Sequence, residues 1–188
     1  MIKIGITGSL ASGKTTASKI LSKGRGPLFS ADAVVRNLYK NKKFKSLISK
    51  KFRINNNNRF KEALKQFIFK NNKNLKKLEK IVHPLVRKRM KIFSFKNKNK
   101  ETLFYEIPLL IESKLVNFFS IIIFIKAKRK IRLRRFKSKG GEEKLFNLLN
   151  NKQINDRRKI KFCDYVVVNE KNLKTLKKNL LNIISKYE

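Results

Sequence analysis

One short loop near the start of the chain limits its fold more than anything after it. Residues 8–15 read Gly-Ser-Leu-Ala-Ser-Gly-Lys-Thr, the phosphate-binding pattern G-x-x-x-x-G-K-[ST]. The stretch before it, Ile2-Lys3-Ile4-Gly5-Ile6-Thr7, alternates like a short buried strand. After it, Ala17, Ile20 and Leu21 recur at helical spacing. A strand, this loop and a helix in that order form the setting in which the pattern wraps an anion. Gly8 and Gly13 let the backbone curl without Cβ clashes. Backbone amides then point inward, and the new helix adds its positive dipole end. Gly8, Ala11, Ser12, Gly13, Lys14, Thr15 and Thr16 are thus the residues expected around the nucleotide's phosphates. Lys14 is expected to reach the outer phosphates, and Thr15 to offer its hydroxyl to Mg²⁺. The loop specifies a nucleoside triphosphate and leaves open whether the chain is a kinase, an ATPase or a GTPase.

The pattern after the loop alternates strands with helices. Leu28-Phe29-Ser30 reads as a second strand, running into Ala31-Asp32 and a helix with Val34, Val35, Leu38 and Tyr39 on one side. Residues 44–52 continue helical, 55–58 are an asparagine loop, and 59–95 again show helical spacing. His83-Pro84 is expected to start or kink a helix within that run. Strands are expected at 102–107, at 120–125 and at 165–168. Between them, residues 109–115 read as a short helix or turn, 128–137 as a basic helix stopped by Gly140-Gly141, and 142–161 as one polar helix. Residues 172–187 close the chain with Leu173, Leu176, Leu180, Ile183 and Ile184 on one face. Five strands separated by helices imply an α/β fold with a parallel sheet. Ligands in such sheets bind beyond the carboxyl ends of the strands, the edge that carries Gly8, Asp32 and Glu106.

A chain of 188 residues suits one domain with a small subdomain inserted. The single cysteine, Cys163, excludes an internal disulfide framework and fits a reducing compartment. No apolar run reaches the length of a membrane span, and the first residues are not expected to act as a signal peptide. The expected location is the cytoplasm. Lys and Arg number 49 against 12 Asp and Glu, a net charge of +37. Such a charge suits nucleic acid or small polyanions, but here it is spread evenly with the lysine, asparagine and isoleucine bias of an AT-rich coding sequence. Most of it is read as compositional drift, with no specific nucleic-acid partner and no membrane partner.

Phosphoryl transfer needs charge neutralisation, alignment and a base within reach of the acceptor hydroxyl. Asp32, after the second strand, suits the base; by position alone it suits a helix N-cap equally well. Glu106 could hold Mg²⁺ through water, and is read here as pairing with a nearby lysine. Arg132, Arg134 and Arg135 lie where small kinases carry lid arginines; a solvated basic face accounts for most basic residues there. By residue type alone, the lone His83 reads as a packing or capping group and Cys163 as a small buried thiol.

These residues together resemble the dephospho-CoA kinase family over nearly the whole chain. Residues 8–16 resemble its G-G-I-G-S-G-K-S-T loop, and Ala31-Asp32 with Arg36 its D-A-D-x-x-x-R. Residues 78–87, containing His83-Pro84 and Arg87, resemble its L-x-x-I-x-H-P-x-[IV]-R helix. Ile107-Pro108-Leu109-Leu110-Ile111-Glu112 resembles V-P-L-L-x-E; Gln153 followed by Asp164, Val166 and Asn169 resembles the closing Q and A-D-x-[VI]-x-[ND]. The resemblance implies a P-loop kinase-like three-layer sandwich with a five-stranded parallel sheet, a helical substrate-binding insertion and a lid. The core would comprise residues about 1–40 and 100–188, the insertion about 41–98 and the lid about 132–160. It implies transfer of the ATP γ-phosphate to the ribose 3′-hydroxyl of dephospho-CoA by a monomer or weak homo-oligomer. Asp32 then takes the part of the base, with Lys14 and the lid residue Arg134 as its catalytic partners. Asp32, Arg36, His83, Arg87, Pro108 and Leu109 would meet the acceptor. A nucleoside or nucleotide kinase, or a nucleic-acid-binding protein using the loop as a switch, is the alternative. Three positions depart from the family pattern. Ser30 stands at the first Asp of D-A-D, Ala11 at a loop glycine, and Ser138 at a second lid arginine. Ala11 is tolerable if its φ stays below zero.

Overall fold

The computed structural model describes residues 1–55 and 59–187. Five parallel strands form one sheet in the order β2-β3-β1-β4-β5. They are β1 (Ile2–Gly8), β2 (Leu28–Ser30), β3 (Thr102–Glu106), β4 (Ile121–Lys126) and β5 (Tyr165–Val168). The chain leaves β1 through helix α1 (Lys14–Ser22), reaches the edge at β2, and returns to pair β3 with β1. It then crosses to β4 on the other side of β1. The strand order therefore reverses at β1, and the crevice at such a reversal is where ligands bind in open parallel sheets.

Contacts divide the chain into two compact units, residues 1–30 with 97–188, and residues 31–96. In the first unit, strand alternation sorts the side chains between the two faces of the sheet. Ile4, Ile6, Phe104, Ile121, Ile123, Ile125 and Val167 pack against Ala17 and Leu21 of α1 and Leu176, Leu180 and Ile184 of the last helix. On the opposite face Tyr105 is fully buried, with Phe118 and Phe119 edge-on at 5.6 and 5.4 Å. Burying a side chain of this size contributes about 1.5–3 kcal/mol, so these two layers dominate the unit's stability.

Among the described residues the second unit holds four helices: α2 (Ala31–Lys40), α3 (Lys42–Phe52), α4 (Phe60–Lys70) and α5 (Asn72–Lys96). Phe44, Ile48, Phe60, Leu64, Leu78 and Val82 form its core. Asn41 caps α3 by accepting from the Phe44 amide, the expected use of asparagine at that position. The long helical run breaks at Asn71, and α5 continues through Pro84, so His83-Pro84 does not start a helix. Residues 56–58 of the expected asparagine loop lie outside the described residues. Among the described residues no helix is long and apolar enough to cross a membrane.

The remaining helices belong to the first unit: α6 (Arg129–Lys137), α7 (Glu143–Lys152), α8 (Asp156–Ile160) and α9 (Leu173–Ile184). The stop at Gly140-Gly141 is observed, with the Gly141 amide returning to the Phe136 carbonyl at 3.0 Å. The single polar helix expected over 142–161 is instead two helices. Asn155 caps the second by accepting from the Arg157 amide, which frees Gln153 and Ile154 to turn inward.

Cys163 sits between α8 and β5, and its thiol donates to the Lys159 carbonyl at 3.3 Å. Burial, and then the neighbouring Asp164 carboxylate, push the thiol up to about 12. Thiolate is the reactive form, so at pH 8 only about one Cys163 in 10⁴ is poised to react. Alkylation by iodoacetamide is expected to be on the order of 10³-fold slower than for a free thiol, and to keep accelerating up to pH 10. A rate that levels off near pH 8.5 would contradict this.

Candidate active site

The loop between β1 and α1 is shaped by two glycines. Gly8 has φ +149, and a Cβ there would lie 2.3 Å from the Ile125 carbonyl oxygen. Gly13 has φ +99, and a Cβ there would meet Asn169 Nδ2 at 2.2 Å. A side chain at Gly8 would push the β4 backbone off the loop, and one at Gly13 would displace the Asn169 amide that holds it. Gly13 is also the residue from which α1 starts, and no side chain caps that helix. Its first amides and dipole are left for an anion.

Ala11 adopts φ +58, in the left-handed region, so the condition under which alanine is readily tolerated there is not met. Alanine in this region costs about 1–2 kcal/mol, whereas glycine would lose about 0.5–1 kcal/mol through chain entropy. Ala11→Gly is therefore expected to stabilise the protein by about 0.5–1 kcal/mol in chemical denaturation. A loss of stability would show that the methyl group is needed for packing.

Lys14 is buried, and its ammonium donates to the carbonyls of Gly8 at 3.0 Å and Ser9 at 2.9 Å. Ser12 is fully buried with its hydroxyl unpartnered among the described residues. A buried donor of that kind is costly unless a ligand satisfies it, and a phosphate oxygen would do so. Thr15 and Thr16 are exposed at the start of α1. The Thr15 hydroxyl donates to Glu106 Oε1 at 2.5 Å, and Ser30 Oγ donates to Glu106 Oε2 at 2.8 Å. Glu106 is 1% exposed. Both its partners are hydroxyls, so the expected lysine pair is not formed among the described residues.

Distant parts of the chain hold the outside of the loop. Gln153 Oε1 accepts from the Leu10 amide at 3.0 Å, and Asn169 Nδ2 donates to the Ser12 carbonyl at 2.9 Å. The Ser9 hydroxyl donates to Asp156. From α6, Arg132 donates to the Leu10 carbonyl at 3.3 Å and to Asn150 Oδ1 at 2.8 Å. Arg135 donates to the Ser12 carbonyl at 3.3 Å. Burial lowers the Arg132 guanidinium from its ordinary value, with Asp156 opposing the shift, and an arginine stays protonated regardless. Arg134 is exposed. Arg132 and Arg135 are three residues apart and share one helix face; Arg134 falls on another. The spacing puts Arg132 and Arg135 on a common face, whereas the sequence reading singles out Arg134; which face meets the loop is decided by the fold. Asp156 carried no signal before the break ahead of α8 was known.

Beyond β3, Pro108 and Leu109 open a turn, and the Pro108 carbonyl accepts from the Thr7 hydroxyl at 3.3 Å. Glu112, from the same turn, forms an ion pair of 2.7 Å with the fully buried Lys159 of α8 and accepts from the Ile154 amide at 3.1 Å. Breaking such a pair strands a buried charge at a cost of about 3–5 kcal/mol, so the turn and α8 are held together firmly.

The other expected site residues lie in the helical unit. Asp32 is the second residue of α2 and is exposed, so it stands inside the first turn rather than at the N-cap. Arg36 follows one turn later on α2 and is exposed. His83 is half-buried on α5, and Arg87 is exposed one turn further along it.

Known proteins resemble this chain over almost its whole length. The family model for dephospho-CoA kinase matches residues 2–175. A dephospho-CoA kinase from Bartonella quintana (strain Toulouse) is 32% identical over 186 residues, covering 96% of this chain and 95% of the relative. Among solved structures, TT1252 from Thermus thermophilus aligns with a TM-score of 0.79 at 26% identity, covering 100% of this chain and 98% of the other. A dephospho-CoA kinase from Campylobacter jejuni shares the fold, with a TM-score of 0.67 at 23% identity over 98% of this chain and 96% of its own.

Proposed function

The chain belongs to the dephospho-CoA kinase family, and we propose that it transfers the γ-phosphate of ATP to the ribose 3′-hydroxyl of dephospho-CoA with Asp32 as the base. The enzyme is an ATP-dependent kinase of dephospho-CoA; the residue roles and the 3′ position are the proposal. What carries it is the convergence of Gln153 and Asn169, two residues of the family pattern, on the loop at Leu10 and Ser12.

In this reading the loop from Gly8 through Thr16 binds the phosphates of ATP. Lys14 trades its two carbonyl partners for the outer phosphate oxygens and neutralises their charge. The unpartnered Ser12 hydroxyl and the uncapped amides of α1 take further oxygens. Thr15 and Glu106 offer hard oxygen donors that suit Mg²⁺, which usually keeps one or two protein groups beside substrate phosphates. Mg²⁺ bound there would supply charge stabilisation on the transferring phosphoryl group. Asp32 accepts the proton of the acceptor hydroxyl. Arg36, His83, Arg87, Pro108 and Leu109 bind and orient dephospho-CoA, with residues about 41–98 as its helical insertion. Residues about 132–160 act as the lid, and Arg134, being exposed, is available to turn onto the donor phosphates. The proposed enzyme works in the cytoplasm as a monomer or weak homo-oligomer, with no specific nucleic-acid partner.

The test is competition between acceptors. With ATP as donor, kcat/KM for dephospho-CoA is expected to exceed that for adenosine, and for any nucleoside monophosphate, by at least about 10³-fold, because a site built to bind polar groups strongly rejects analogues that lack them. A preference for a nucleoside or a nucleotide acceptor would overturn the substrate assignment.

A further inference from the structure

Ser30 ends β2 beside Glu106, which ends β3, and the two residues are register partners in the sheet. Glu106 is buried at the carboxyl end of its strand, where a carboxylate needs every oxygen satisfied. Oε1 accepts from Thr15 at 2.5 Å and Oε2 from Ser30 at 2.8 Å. A hydroxyl can ligate a cation only through its lone pairs, so its proton must be taken elsewhere. Glu106 Oε1 takes the Thr15 proton. With Oε2 also held, the carboxylate cannot rotate away and release it.

We propose that Ser30 is a positioning residue for the metal-binding end of the site: its hydroxyl fixes the Glu106 carboxylate and, through it, aims the Thr15 oxygen outward. This rests on the assignment of Thr15 and Glu106 to Mg²⁺ made above. Serine suits the place better than a second acid would. A carboxylate within 3 Å of Glu106 would set two like charges against each other, and both could not stay ionised without a cation between them. Serine supplies a proton where an aspartate would need one, so Glu106 keeps a fixed orientation before any cation arrives.

The experiment is isothermal titration of the full chain with ATP, with and without Mg²⁺, for the wild type, Ser30→Ala and Ser30→Thr. Groups that orient a metal ligand typically govern 10–100-fold of metal affinity. Ser30→Ala is expected to reduce the gain in ATP affinity on adding Mg²⁺ by at least about tenfold, with Mg²⁺-free affinity within about twofold of wild type. Ser30→Thr, which keeps the hydroxyl, is expected to retain most of the gain. If Ser30→Ala does not melt cooperatively, Ser30→Cys replaces it with the same expectation, because a thiol is a weak donor of similar size. The proposal is overturned if the alanine variant keeps the full Mg²⁺ gain, if it loses ATP affinity equally with and without Mg²⁺, or if the wild type shows no gain. Preference for a nucleoside acceptor with the Ser30 effect intact would sink the proposed function and leave this inference standing. Activity on dephospho-CoA with an indifferent Ser30→Ala would do the reverse.

Discussion

Asp32→Asn is expected to lower kcat for dephospho-CoA by about 10²–10⁴-fold while ATP affinity stays within about threefold. General bases contribute that much because proton transfer is under way only in the transition state. Asparagine matches aspartate in size and in its place on the first turn of α2, so the helix and its packing are retained. It cannot accept a proton at neutral pH. A group that acts in the transition state moves kcat and kcat/KM together and leaves ground-state binding alone. Steady-state kinetics together with nucleotide titration separate the possibilities. A variant that turns over normally but binds ATP poorly would assign Asp32 to the nucleotide and leave the base unidentified.

Lys14→Ala is expected to cost more in total, because it damages both binding and turnover. Lys14 is 7% exposed, and its ammonium already sits within the loop, held by the Gly8 and Ser9 carbonyls. Removing it leaves those carbonyls without a partner and the triphosphate without its nearest fixed positive charge. A fall of at least about 10³-fold in kcat/KM, near 4 kcal/mol of transition-state stabilisation, is expected, along with roughly tenfold weaker ATP binding. Lys14→Arg is not expected to rescue it, because a planar fork does not fit a slot shaped for a compact ammonium. Wild-type ATP affinity in Lys14→Ala would mean that the lysine only braces the empty loop.

The elements that were legible in the sequence are those with a strong local period. The strands announced themselves: Ile121 to Ile125 are uninterrupted apolar residues, and Ile4 and Ile6 alternate with positions that must face the other layer. The loop was legible because glycine is required where φ is +149 and +99, and the sequence supplies it at both places. The conformation of Ala11 was not legible, because nothing local reports a left-handed alanine. The helix breaks were harder. Asn71 and Asn155 interrupt helical runs without glycine or proline, whereas Pro84, the obvious punctuation, sits inside α5. Partners across the fold were the least legible part. Lysines are everywhere in this chain, so a lysine pair for Glu106 was the natural expectation, yet the strand register brings Ser30 to it instead. The choice among the α6 arginines likewise depends on which helix face meets the loop, which only the fold decides.

Transfer to the ribose 3′ position can be watched in one reaction of the wild-type chain with ATP, Mg²⁺ and dephospho-CoA, followed by ³¹P nuclear magnetic resonance. A new phosphomonoester signal at the ribose 3′ position, growing one for one with ADP, is expected. ADP formed without that signal, or a phosphate appearing elsewhere on the acceptor, would contradict it.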